Sequence, residues 1–112
     1  MAEPTLQQVF GDNASQNATT LTISKADLSS LGLTPSANNS AESLFVAILL
    51  KAKQYLSVAN YEANIDQSIT IATPDFNAQS LVTRNNQQYR QFQEVVNLYK
   101  VDSSSTIDPD DY

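Results

Sequence analysis

The chain has 112 residues, 41% of them apolar and only 16% charged, with a net charge of −6 at pH 7 and a calculated pI of about 4.2. It contains no cysteine and no histidine, which excludes disulfides, thiolate nucleophiles, the usual zinc sites and imidazole bases within this chain. No basic patch can release phosphate counterions and no apolar run exceeds seven residues, so neither nucleic acid nor a membrane is the expected partner.

Such a length fits one domain, which buries very roughly 65% of the surface its unfolded chain exposes. Asn, Gln, Ser and Thr fill the place of the missing charges. A surface of that kind hydrogen-bonds well and suits contact with other proteins better than electrostatic steering.

Residues 1–18 form an N-terminal arm with a short helical turn. In MAEPTLQQVFG (1–11), Pro4 suits a first helical position, Leu6, Val9 and Phe10 share a face, and Gly11 can end the turn in the left-handed conformation. The start lacks the basic flank and apolar run of a signal peptide, so synthesis in a cytoplasm is expected. DNASQNA (12–18) reads as a polar loop.

Residues 19–101 form the single domain. TTLTIS (19–24) alternates Leu21 and Ile23 with hydroxyl residues and predicts a half-buried strand. KADLSSLG (25–32) predicts one helical turn that tucks Leu28 and Leu31 inward, and Pro35 stops the loop at 33–38.

The densest stretch is NNSAESLFVAILLKAKQYLS (38–57), with seven consecutive apolar residues from Leu44 to Leu50. Asn39 as N-cap with Glu42 three residues on predicts a helix over 41–57. Leu44, Phe45, Ile48, Leu49, Ala52, Tyr55 and Leu56 make one broad stripe, and Val46 and Leu50 fall outside it. A helix apolar nearly all round needs cover on two sides. The chain's own sheet is one cover, and a neighbouring subunit is the expected second.

VANYEANID (58–66) breaks the pattern, with Tyr61 and Ile65 expected to pin it to the core. QSITIAT (67–73) predicts a strand with Ile69 and Ile71 on one face, ended by Pro74. QSLVTR (79–84) is a second strand, joined through an Asn85–Asn86 turn to YRQFQEVVNLYKV (89–101). That last piece also fits a helix through Tyr89, Phe92, Val96 and Tyr99, and the hairpin favours the strand. Both of its faces carry large side chains, so it is central or meets a partner. DSSSTIDPDDY (102–112) is an acidic tail expected to be disordered alone. The predicted fold class is α+β: one long buried helix packed on an antiparallel sheet of about four strands, with flexible N- and C-terminal arms.

Chemistry finds little purchase. Asp108, Asp110 and Asp111 lie close together, but the EF-hand pattern is missing and a docking tail explains them better than calcium. Glu42, Glu62, Asp66 and Asp75 have nothing to fix a catalytic separation. Two glycines cannot build a phosphate loop. Tyr89, Arg90 and Phe92 faintly suggest a base-stacking platform, yet Tyr and Arg also favour protein interfaces and the net charge is negative. No cofactor, metal or catalytic residue is expected.

The blocks TLQQVFG, TTLTISKADL, NNSAESLFVAILLKA, NIDQSITI, RNNQQYR and TIDPDDY together resemble small proteins of cyanobacterial genomes and of the tailed phages that infect them. The resemblance implies a non-enzymatic structural component of a virion or phage-tail-like machine, present in many copies, made in the host cytoplasm and located in the virion. Its partners would be copies of itself or other virion proteins. The residues expected to make contacts are Leu6, Val9 and Phe10 in the arm, Val46 and Leu50 on the second helix face, and Ile107 and Tyr112 in the tail. The competing expectation is a small cytoplasmic binding or regulatory protein, a homodimer among its possible forms.

Overall fold

The computed structural model describes residues 3–74, 79–101 and 105–112. Helices and antiparallel strand pairs are mixed along the chain. The first half runs α1 (Leu6–Phe10), β1 (Ser15–Gln16), β2 (Leu21–Thr22), a 3-10 helix (Lys25–Leu31) and α2 (Ala41–Tyr55). The second runs α3 (Val58–Ala63), β3 (Ile69–Ala72), β4 (Gln79–Arg84), β5 (Gln87–Phe92), β6 (Val95–Leu98) and a 3-10 turn (Pro109–Asp111). The α+β class therefore holds. The single sheet of about four strands does not, because the described strands form three separate pairs, β1–β2, β3–β6 and β4–β5.

Connectivity gives the reason. β3 to β6 trace one long hairpin folded at Asn85–Asn86, whose φ values of 58° and 61° suit a tight two-residue turn. β4 pairs β5 from Arg84↔Gln87 out to Gln79↔Phe92, and β3 pairs β6 from Ala72↔Val95 to Ile69↔Leu98. Between the two ladders lie residues 73–78 on one limb and only 93–94 on the other. So unequal a count breaks the register and the ladders part. The expected strand at 89–101 is accordingly two strands, and Phe92 belongs to a different ladder from Val96 and Leu98.

Helix α2 organises the body. Its N-cap is Ser40, whose hydroxyl accepts the Ser43 amide at 3.1 Å. Asn39, expected there, is occupied one residue earlier: its side chain donates to the Thr34 carbonyl at 3.0 Å and accepts the Ser36 amide at 2.9 Å. The helix stops at Tyr55 because Ser57 caps the next helix, α3, by accepting the Asn60 amide at 3.2 Å. The link expected to be irregular is thus partly helical, too short for its apolar spacing to show.

Two alanines, Ala47 and Ala52, are the buried points of α2. On one side the 3-10 helix brings Leu28, 1% exposed, against Ala47, and Leu33, Leu44, Ile48 and Ile23 close around it. On the other, the Ile71 amide donates to the Leu56 carbonyl at 2.8 Å and fastens β3 to the helix end. Phe45 and Ala52 are seven residues apart and so lie on one face. The cover from α1 and β3 reaches Ala52 and Leu56 but not Phe45, which is 68% exposed. The helix is therefore only partly buried, against expectation.

Neither arm is detached among the described residues. Thr5, with Pro4 preceding it, caps α1 through a reciprocal box with Gln8, at 3.1 and 2.9 Å, and α1 packs on α2. Gly11 has φ 117° and ψ 156°, an extended conformation open to glycine rather than the left-handed helical one expected. A Cβ there would meet the Asp27 Cβ at 2.6 Å, and Asp27 needs that place to hold the Asn13 amide and side chain at 2.8 and 2.9 Å. Part of the expected polar loop, Ser15–Gln16, pairs with Leu21–Thr22, so the strand expected over 19–24 is shorter and sits in a ribbon. At the other end Lys100 binds the Thr106 carbonyl at 2.6 Å and the Asp111 carboxylate at 3.2 Å, drawing the tail back.

The result is spread out. The Cα radius of gyration is 16.3 Å, where a compact chain of this length has about 13 Å. The accessible surface is 8349 Å², whereas a compact monomer of 12.3 kDa exposes roughly 6,100 Å².

Candidate assembly interface

The β4–β5 ribbon is exposed at every residue, and no other described element makes more than a marginal contact with it. Cross-strand register sorts its side chains. Phe92, Leu81 and Arg90 share one face with Gln79, while Val82, Tyr89 and Arg84 share the other with Ser80. An ordinary antiparallel pair buries one face and wets the other. Here each face carries two apolar side chains, one arginine and three uncharged polar side chains, so the two faces are alike and neither is set apart as a core side.

Arg84 lies 5.4 Å from the centre of the Tyr89 ring, and Arg90 donates to the Gln79 side chain at 3.3 Å. Among the described residues neither arginine has a carboxylate within ion-pair distance. An isolated two-stranded hairpin is marginal in water.

The base of the ribbon is clipped to α2. Lys53 reaches the Glu94 carboxylate at 2.7 Å and the Thr73 hydroxyl at 2.8 Å, and that hydroxyl donates to Glu94 at 3.0 Å. Hydrogen bonding from Lys53, opposed by partial burial and assisted by Thr73 and the lysine charge, holds the Glu94 carboxyl below its ordinary pKa. The clip sits at the end of the β3–β6 ladder, one residue beyond Ala72↔Val95.

Beside that base runs an apolar groove of about 580 Å³. Leu6, Val9 and Phe10 of α1 face Ile69, Ile71, Val96 and Leu98 across it, the last four sharing one face of the β3–β6 pair. Glu3 and Tyr112 lie at its edge. A smaller hollow of about 270 Å³ separates the 3-10 helix from α2 and is lined by Leu31, Leu33, Val46 and Leu50.

Of the seven residues expected to make contacts, Leu6, Val9, Phe10 and Tyr112 meet in the larger groove. Val46 and Leu50 meet in the smaller, where Val46 is 52% exposed. Ile107 is exposed and lines neither. Tyr61 does pin the second half, stacking on Tyr99 with ring centres 4.7 Å apart. Ile65 does not, being 96% exposed. The ribbon residues were absent from the expected set, although Tyr89, Arg90 and Phe92 already had the composition of interface anchors.

No group of three or more His, Cys, Asp or Glu able to hold a metal exists among the described residues. Glu42 sits in the first turn of α2, Glu62 in α3 and Asp66 after it, all exposed, while Asp75 lies outside the described residues. No described helix is long and apolar enough to cross a membrane. No protein-family model, curated protein or solved structure matches the chain.

Proposed function

We propose that this chain is a non-enzymatic structural component of a tailed-phage or phage-like particle, acting through repeated protein–protein contacts. The observation that carries the assembly part is surface. The chain exposes roughly 2,200 Å² more than a compact monomer of its mass, and a standard interface removes about 800 Å² from each partner. The excess includes the β4–β5 ribbon, whose faces each carry two exposed apolar side chains, and Phe45 and Val46 of α2. The phage part rests on the family resemblance, and an amide-rich, histidine-free surface is suited to such contacts.

Mass spectrometry and electron microscopy of purified particles test the reading. The chain is expected in the particle at many copies, with density repeated under its symmetry. A chain missing from particles whose genome encodes it would refute the proposal. The same excess surface would serve a homodimeric regulatory protein, and size-exclusion chromatography over a range of concentrations separates a fixed dimer from a subunit that assembles further.

A further inference from the structure

We infer that the β4–β5 ribbon of one copy seats in the groove between α1 and the β3–β6 pair of a second copy. The inference rests on the assembly reading above and deepens it by naming the partner and the two surfaces.

Charge selects the pairing. The ribbon carries Arg84 and Arg90 and no acid, a net +2, so the remaining residues sum to −8. The groove has Glu3 and Tyr112 in its lining, and Tyr112 closes the turn that carries Asp108 and Asp110. Asp111 is engaged by Lys100, whereas no described lysine or arginine pairs with Glu3, Asp108 or Asp110. Ribbon against ribbon would crowd four arginines, and groove against groove would crowd acids. Ribbon into groove joins opposite signs.

Shape and area agree. The Leu81–Phe92 face is the more exposed one and carries Arg90 between its apolar side chains, so it is assigned to the groove walls of Leu6, Val9 and Leu98. A volume of about 580 Å³ can take a few side chains. Each copy gives one ribbon and receives another, which at about 800 Å² per surface accounts for most of the excess. The chain's own ribbon cannot occupy the site. Only residues 93 and 94 separate β5 from β6, a reach of about 10 Å, and β6 is itself a wall of the groove. A contact between unlike surfaces propagates and closes as a ring or continues as a filament.

Light scattering on size-exclusion fractions of the full chain tests this with two charge reversals, Arg84→Glu with Arg90→Glu, and Glu3→Arg with Asp108→Arg and Asp110→Arg. Circular dichroism checks that each variant folds. Phe92→Ser gives a third, uncharged disruption. The wild type is expected to assemble with rising concentration. Each variant is expected to associate about tenfold or more weakly. The two reversals mixed together should regain assembly, since acidic ribbon then meets basic groove. Reversals that assemble like the wild type, or a mixture that stays monomeric while the wild type assembles, would overturn the contact and leave the assembly reading standing. A wild type monomeric throughout would overturn it as well. The particle reading falls separately, on a chain absent from particles.

Discussion

Helix α2 and the β4–β5 ribbon both present apolar side chains, but the chain completes the burial of neither and treats them in opposite ways. Around α2, small residues at Ala47 and Ala52 let the 3-10 helix and β3 come close, and a core forms around Leu28. Along the ribbon, alternation places Leu81 and Phe92 on one face and Val82 and Tyr89 on the other, and nothing described closes over either. The difference teaches where the two kinds of stability reside. Changes in the body should unfold the monomer, whereas changes in the ribbon should leave the monomer folded and alter what it binds.

The largest effect is expected at the core. Leu28→Ala removes the most buried large side chain and should cost about 2–5 kcal/mol. For a domain of this size that lowers the melting temperature by roughly 10 °C or more, read by thermal denaturation. A shift of only a degree or two would mean that the core lies elsewhere. Gly11→Ala comes next, at about 1–3 kcal/mol, because alanine must hold a positive φ and displace Asp27. Chemical denaturation should show the loss, and Asp27→Ala in the same background should not restore it, because the nearest clashing atom is the Asp27 Cβ at 2.6 Å and the carboxylate's bonds to Asn13 are lost.

Deleting residues 102–112 removes the Lys100–Asp111 pair and Tyr112 from the groove edge. The remaining chain is expected to stay folded by circular dichroism and to fail in assembly. A truncated chain incorporated at full occupancy would contradict that.

The smallest effects on the monomer belong to the ribbon and its base. Phe92→Ser should change monomer stability by no more than about 0.5 kcal/mol, since the side chain is exposed. Glu94→Gln should cost about 0.5 kcal/mol or less, the scale of a partly exposed pair. Its pH dependence has a definite sign. The folded carboxyl titrates below its ordinary value, so its contribution is full above the ordinary glutamate pKa and fades as pH falls through the lowered one. The gap between wild type and Glu94→Gln should therefore be present at neutral pH and close in acid. A gap that widens in acid would contradict the clip.

Much of this division was legible in the residues. The 3-10 turn with Leu28 inward, the strand with Ile69 and Ile71, and the Asn85–Asn86 hairpin all follow from periodicity and turn chemistry. The four-stranded sheet was not obtained, because strand spacing cannot reveal that the β3–β6 and β4–β5 ladders differ in register by four residues. Ser40 displaced Asn39 as the cap because the asparagine side chain was taken up by the loop around Pro35. Angular position alone puts Phe45 inward, and the covering elements α1 and β3 stop one heptad short of it. Of the interface, the groove residues of α1 were readable from a shared helical face. Leu81 and Val82 were not, because adjacent apolar residues in a strand leave open which of them has a core to meet.

Amide hydrogen exchange read by mass spectrometry, on dilute and on assembled wild-type protein, tests the central claim most directly. The account predicts rapid exchange across residues 79–92 in the dilute monomer and strong protection of the same amides on assembly, with α2 protected in both. Equal exchange across the ribbon in the two samples would contradict it.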